Sequence, residues 1–223
     1  FMKQTNNSLY LEEIQGDITH LDLNETLKVL EDYKPLDVEC AAMGMALHEG
    51  IRNQYPDWHF LIDGDGGDEN LKDYPIEENS ELTIKSVLHN QMLYHEGWGV
   101  GKIKHSLTYS GGLSRSYTRT YAPAKHYHFE GFSPFTRPSV INVSEGIPYI
   151  EMTDYDHKRL YGLKGDIVAK GIKAVTGVDM PIFEKRRFQH GAVPVEQLRQ
   201  AITDNEQLLR RRFHSMHEEP VKD

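Results

Sequence analysis

The spacing of apolar residues in the first quarter of the chain predicts two helices. The first has Asn24 as its cap and ends near Lys34 and Pro35, because the residue before a proline disfavours helix. The second spans residues 37–54, with Asp37 as its cap. Its apolar positions recur at the period of a helix and predict a buried face: Val38, Ala41, Ala42, Met45 and Ala46.

A short apolar run at residues 58–62, Trp-His-Phe-Leu-Ile, predicts a central strand because it is rich in aromatic and branched side chains. It leads directly into an acidic, glycine-rich segment at residues 63–69, which we name the acidic glycine loop. A helix, a strand and a glycine-rich loop in this order are typical of an α/β sheet, where ligands bind beyond the carboxyl ends of the strands. The predicted fold class is therefore α/β, with the first candidate site at this loop.

The rest of the chain is predicted to be mostly helical. Helices are expected at residues 79–95, 139–147 and 156–176. Residues 97–138 contain many Gly, Ser, Tyr and Arg without a clean period, which indicates irregular structure that lines a site. Pro194 suits the first position of a last helix, whose apolar face is formed by Val195, Leu198, Ile202, Leu209 and Phe213.

One domain is expected over residues 1–223. We divide it into an α/β part at residues 18–75, a helical acceptor-site part at 76–193, and a C-terminal helix and tail at 194–223. With 38% hydrophobic and 26% charged residues, the composition is that of an ordinary globular protein.

Charge and cysteine content exclude several functional classes. The formal net charge of −9 is unfavourable for binding nucleic acid, whose phosphates require clustered Lys and Arg. Cys40 is the single cysteine, so neither an internal disulfide nor a zinc site of paired thiolates can form. No apolar run approaches the ~20 residues that cross a bilayer. We therefore expect a cytoplasmic protein that binds neither nucleic acid nor membrane.

The acidic glycine loop has the composition of a magnesium site. Asp65, Asp68 and Glu69 supply carboxylates, and Mg²⁺ prefers a few of these together with phosphate oxygens. A calcium-binding loop does not fit, because the alternating ligands and final Glu of its twelve-residue pattern are missing. A plain acidic turn is the remaining alternative on the motif alone.

The loop and its surroundings resemble the synthetase domain of asparagine synthetases. The matching segments occur in the family's order: Thr19-His20-Leu21-Asp22, Leu30-Glu31-Asp32-Tyr33, residues 63–69 in place of Ser-Gly-Glu-Gly-x-Asp-Glu, and Tyr74. The resemblance implies a partial adenine-nucleotide alpha-hydrolase-like fold, that of the PP-loop ATP pyrophosphatases, with a mostly helical C-terminal half. It also implies that ATP and Mg²⁺ are cofactors.

The resemblance assigns roles within the loop. Asp65 would help to organise the reaction, although it replaces a Glu of the family and is one methylene shorter. Asp68, with Asp65 and Glu69, would bind the Mg²⁺ of pyrophosphate. The three glycines of the loop would contact the pyrophosphate: Gly64, Gly66 and Gly67. Tyr74 would contact the substrate.

Two downstream segments extend the resemblance. Residues 130–135, Glu-Gly-Phe-Ser-Pro-Phe, resemble the family's Glu-x-Arg-x-Pro-Phe, so Glu130 would contact substrate while Phe132 replaces the Arg. Arg115 and Arg119 are candidates for the missing charge, or else surface cations on a polar loop. Residues 185–191 resemble the family's Lys-x-x-Phe-x-x-Gly, whose lysine stabilises the transition states. That role falls on Lys185, and His190 would contact substrate.

The family grips ATP with a Ser-Gly-Gly-x-Asp-Ser loop on an early strand, and no such loop precedes His20. Ser110-Gly111-Gly112 imitates it but lies after the acidic glycine loop, and Ser114 stands where the family has Asp. It is either a coincidental glycine turn or the loop of a circularly permuted arrangement. We expect instead a second chain that supplies the ATP loop, in a hetero-oligomer.

The predicted function is that of an ATP-dependent amide ligase subunit. Such an enzyme activates a small-molecule carboxylate as an acyl-adenylate, releases pyrophosphate, and transfers the acyl group to an amine or ammonia. The alternative is a non-catalytic partner or scaffold of a full synthetase. Sulfur transfer to RNA is disfavoured by the acidic charge and the single cysteine.

Overall fold

A computed structural model describes residue 9 and residues 12–71, 117–182 and 192–218. The described residues belong to two compact units. The sheet unit comprises residues 14–63, 117–133 and 192–218. The loop unit comprises residues 9, 12–13, 64–71 and 134–182.

The sheet unit begins with a 3-10 turn, Ile18–His20, and a helix, α1, Leu23–Leu30. The predicted cap of this helix was wrong by two residues. Asp22 is the cap, and its Oδ1 accepts hydrogen bonds from the backbone N–H groups of Asn24 and Glu25 at 2.8 and 3.4 Å. Both residue types suit an N-cap, and the one that precedes the apolar Leu23 is used.

The predicted second helix is present as α2, Pro35–Gln54. It begins two residues before the expected start, because proline at the first helical position has the φ angle a helix needs and lacks an N–H that would be unpaired there. Asp37 is consequently not the cap but a buried residue of the first turn. α1 and α2 share one hydrophobic core with the C-terminal part of the chain. The buried residues of this core are Leu27, Leu30, Val38, Ala41, Ala42, Met43, Leu198, Ile202 and Leu209.

A strand, β1, Phe60–Ile62, pairs in parallel with β2, Glu130–Phe132. The strand predicted at residues 58–62 is present over three of them, and Phe60 and Ile62 are 78% and 67% exposed. Phe60 and Ile62 lie on either side of Leu61 in the sequence, and because side chains alternate along a strand they point to the same face. Within the described residues β1 pairs with β2 alone, and the face that holds Phe60 and Ile62 carries large exposed apolar side chains.

Residues 117–132 are not irregular, contrary to the prediction for 97–138. They form a π-helix, Tyr117–Tyr121, then α4, Ala122–His126, and β2. Gly and Ser, which favour turns, are frequent before residue 117. In the segment that follows, Pro123 lies at the start of α4, where proline is favoured. Ala124 and Phe129 are buried against Ile51 of α2, which fixes the segment.

Arg52, near the end of α2, joins both strands of the sheet. Its guanidinium donates hydrogen bonds at 2.6–3.2 Å to backbone carbonyls that lead into β1 and into β2, those of Pro56, Trp58, Tyr127 and His128. It also lies 4.0 Å above the ring centroid of Phe129. A planar cation with five N–H donors is suited to such a junction, where strand ends leave carbonyls unpaired.

The last predicted helix is two helices, α8, Val195–Ala201, and α9, Glu206–His217. The side chain of Asn205 accepts a hydrogen bond from the Leu208 N–H at 3.1 Å and caps α9. The break therefore lies at a run of cap-forming residues, Thr203-Asp204-Asn205, which the apolar spacing alone did not reveal.

The described part of the loop unit is helical. It contains α3, Gly67–Asn70, a 3-10 turn, Pro134–Thr136, and three further helices: α5, Pro138–Glu145, α6, Tyr149–Thr153, and α7, His157–Thr176. α5 and α7 confirm the helices predicted at 139–147 and 156–176. Asp156 caps α7 through the Arg159 N–H at 2.9 Å, and Gly177 ends it in the left-handed conformation at φ 74°.

The described residues form a mostly helical structure with a small two-stranded parallel sheet, and the mixed α/β class is confirmed at that level. The helix predicted at 79–95 lies outside the described residues. The described helices include none long and apolar enough to span a membrane.

His48 of α2 is buried in the sheet unit, beside the rings of Tyr127 and Phe129. Burial lowers the pKa of His48 to about 4, partly opposed by a hydrogen bond to the Pro123 backbone. The folded pKa lies below the unfolded value of about 6.5, so the unfolded chain binds the extra proton between these values. Stability from this group is present above pH 6.5 and lost as the pH falls toward 4.

Between pH 6.5 and pH 4, we expect the free energy of unfolding of the wild type to fall by up to about 3 kcal/mol more than that of His48→Leu. Urea unfolding across this pH range measures the difference. The matched variant His59→Leu, at an exposed position, should retain the wild-type slope. Equal slopes for wild type and His48→Leu would contradict the assignment.

Candidate functional site

The acidic glycine loop turns sharply before α3. The N–H of Gly67 donates to the Gly64 carbonyl at 3.1 Å, and Gly66 has φ 84°, a conformation that costs other residues energy. A Cβ added to Gly67 would lie 3.4 Å from the ring of Phe135, which is an ordinary contact distance. Gly66 therefore permits the turn, and α3 packs against Phe135 where it begins.

Asp68, the second residue of α3, forms an ion pair with Lys164 of α7. Lys164 Nζ donates to Asp68 Oδ1 at 2.7 Å, and the two side chains are 33% and 38% exposed. Partial burial strengthens the attraction relative to a fully solvated pair, while leaving both groups accessible to a ligand. No local signal in the sequence points to this pair, because the two residues lie on different elements 96 positions apart.

The C-terminal end of α3 is attached by a buried polar cluster. The Asn70 carbonyl accepts hydrogen bonds from Tyr149 OH at 2.7 Å and from Ser144 Oγ, and Asn70 Nδ2 donates to the Phe135 carbonyl at 2.6 Å. Asn70, Ser144 and Tyr149 are all buried, and burial raises the pKa of Tyr149, which keeps its hydroxyl a donor. The helix that carries Asp68 thus has a fixed end.

The structure describes the side chains of two of the three carboxylates predicted to bind magnesium. Asp65 and Asp68 are both half-buried carboxylates of the loop unit. Among the residues that the structure describes, no group of three or more His, Cys, Asp or Glu side chains is arranged to hold a metal ion. Mg²⁺ usually binds one or two carboxylates and fills its other positions with water and phosphate oxygens. The magnesium site predicted at this loop therefore stays a prediction.

Arg119 and Glu130, two predicted substrate residues, lie in the sheet unit. Arg119 Nε donates to Asp37 Oδ1 at 2.5 Å, so its guanidinium neutralises a buried carboxylate of α2. Glu130 is the exposed first residue of β2, and its N–H bonds the His59 carbonyl at 2.7 Å. Arg119 thus has a clear role in the fold, and its predicted contact with substrate stays a prediction.

Several predicted site residues lie outside the described part of the chain: Tyr74, Arg115, Lys185, His190 and the Ser110-Gly111-Gly112 segment. The backbone of Glu69 is in α3, but its side chain is not described. The structure brings together Asp68 and Lys164, and reasoning from the sequence had found one of these two.

Comparison with known proteins found no matching family model, no matching curated protein and no matching solved structure.

Proposed function

We propose that this chain is a subunit of an ATP-dependent amide ligase of the asparagine-synthetase type, with a partial adenine-nucleotide alpha-hydrolase-like fold. In this reaction a carboxylate oxygen of the substrate attacks the α-phosphorus of ATP, and pyrophosphate leaves. An amine or ammonia then attacks the acyl carbon, AMP leaves, and the nitrogen loses a proton. The observation that carries the proposal is the Lys164 ammonium, 2.7 Å from Asp68 on the acidic glycine loop.

An ammonium beside an acidic loop is suited to pyrophosphate. A leaving pyrophosphate carries several negative charges, and Asp68 alone would repel it. Magnesium held by Asp65 and Asp68 would reverse that repulsion, and Lys164 would add a positive donor for a phosphate oxygen. In this proposal Lys164 donates to Asp68 before the ligand binds and to phosphate afterwards. Lys185 keeps its predicted role at the reacting phosphate.

The exposed face of β1 supports the proposed partner chain. Parallel sheets occur almost only with both faces covered, whereas Phe60 and Ile62 are largely exposed. A second chain that supplies the Ser-Gly-Gly-x-Asp-Ser loop would cover that face by packing a layer of its own against it. The result would be a hetero-oligomer in which one chain holds adenine and the other holds pyrophosphate.

One observation favours the second candidate, a non-catalytic partner of a full synthetase. Asp68 already binds an ammonium of its own chain, which is also what a purely structural ion pair would do. In that case Lys164 would stabilise the loop permanently, and magnesium pyrophosphate would not displace it. Ligand binding by the chain separates the two candidates.

Titration calorimetry with the full chain, using magnesium chloride and inorganic pyrophosphate, tests the proposal without the partner. We expect Asp68→Asn to weaken pyrophosphate binding about tenfold in the presence of magnesium, because a charged ligand to the cation is lost. Asp204→Asn is the matched control at an exposed acid and should bind as the wild type does. Absence of magnesium-dependent binding by the wild type would contradict the proposal.

A further inference from the structure

The position of α3, the helix that carries Asp68, is determined by its contacts with other elements of the loop unit. α3 has four residues, and a helix of that length has almost no stability of its own. The place of Asp68 therefore depends on the groups that hold α3.

Those groups act on the end of the helix. The last carbonyls of a helix lack partners within it, and that of Asn70 is satisfied by the hydroxyls of Tyr149 and Ser144. In a buried setting such bonds are stronger than in water, and losing both would leave a desolvated carbonyl without a donor. Hydrogen bonding by the two hydroxyls thus fixes α3 at its C-terminal end.

Tyr149 also contacts the element that carries the other half of the ion pair. Its ring belongs to one small core with Leu160 and Leu163 of α7, and Leu163 directly precedes Lys164. The hydroxyl of the same side chain bonds the end of α3, two residues after Asp68. One tyrosine therefore joins the helix of the carboxylate to the helix of the ammonium.

We infer that Tyr149 is a positioning residue that sets the Asp68–Lys164 pair, by packing its ring on α7 and donating its hydroxyl to α3. The inference deepens the proposed function, on which its catalytic meaning rests. Removing the hydroxyl alone keeps the ring packed on α7 and takes away one of the two hydroxyl donors to the Asn70 carbonyl, while that of Ser144 remains. α3 is then held less firmly, and the alignment of the pair weakens while the core of the loop unit remains.

A set of double-mutant cycles in the full chain tests this inference. Asp68→Asn, Lys164→Met and the double variant are compared with the parent by urea unfolding, once with Tyr149 and once with Tyr149→Phe. We expect the two charges to be coupled by about fivefold in the folding equilibrium constant when Tyr149 is present. In the Tyr149→Phe background the coupling should fall below twofold.

A tyrosine with only a structural role would lower the stability of all four proteins by the same factor and leave the coupling unchanged, and that result overturns the inference. Coupling below twofold in the Tyr149 parent overturns it as well, since no aligned pair would then exist. Tyr155→Phe removes a hydroxyl from an exposed ring of the same unit and should leave the coupling at about fivefold.

Binding of magnesium pyrophosphate, measured in the same variants, separates this inference from the proposed function. Tyr149→Phe should weaken binding about threefold, as expected when a charged contact is misaligned but present. If the wild type does not bind but the coupling depends on Tyr149, the proposed function fails and the positioning role stands. If the wild type binds and the coupling is independent of Tyr149, the inference fails and the proposed function stands.

Discussion

Arg52→Met is expected to lower the free energy of unfolding by about 4 kcal/mol, because it removes several charge-assisted hydrogen bonds at once. The guanidinium bonds four carbonyls at the entrances to β1 and β2, and each would be left without its donor. Methionine retains much of the aliphatic length of arginine, so the loss reflects the hydrogen bonds and the contact with Phe129. Urea unfolding of the full chain measures the change.

Arg199→Met is the control for this prediction. Arg199 is an exposed residue of α8, and surface substitutions of this kind change stability by about 0.5 kcal/mol or less. If Arg52→Met were no more destabilising than Arg199→Met, the view that Arg52 joins the two strands would be wrong.

Lys185→Ala is expected to reduce turnover of the reconstituted complex about a thousandfold. The resemblance implies that this lysine stabilises the negative charge that grows in both half reactions. Removing one donor of this kind lowers the rate of known enzymes roughly 10²–10³-fold. Release of pyrophosphate by the chain together with the proposed ATP-binding partner measures the effect. Substrate affinity should change much less than the rate.

Lys170→Ala removes an exposed lysine of α7 and should leave turnover close to that of the wild type. Nearly intact turnover in Lys185→Ala as well would exclude this chain from the chemistry. The non-catalytic partner would then be the better account, since a scaffold has no need of that ammonium.

The long helices were predictable from the sequence because their signals are local. α2 and α7 each contain 20 residues with a repeating apolar face, and both were expected within two residues of their ends. The exact cap of α1 was not predictable, because Asp22 and Asn24 both suit the position. The break before α9 was predictable in principle, from the cap-forming residues that precede it.

β2 could not be predicted, since its three residues are held as a strand by contacts distant in sequence. Glu130–Phe132 pairs with β1, 70 positions earlier, and the hydrogen bonds from Arg52 align the segment that leads into it. No alternation of apolar and polar residues fits into three positions. Its structure is determined by tertiary contacts rather than by its own composition.

The acidic half of the candidate site was visible in the sequence, and the basic half was not. Three glycines among acidic residues are unusual enough to draw attention to residues 63–69. Lys164 is one of several lysines on α7, and nothing in its neighbourhood distinguishes it. Its selection depends on how Tyr149, Leu160 and Leu163 pack, which no local pattern reveals.

A crystal structure of the chain with magnesium and pyrophosphate bound would test the central claim most directly. The proposal predicts magnesium pyrophosphate bound at Asp68, the Lys164 ammonium moved from the carboxylate to the phosphate, and Lys185 within reach of the same ligand. Pyrophosphate bound away from Asp68, with the Asp68–Lys164 pair unchanged and Lys185 remote, would contradict it.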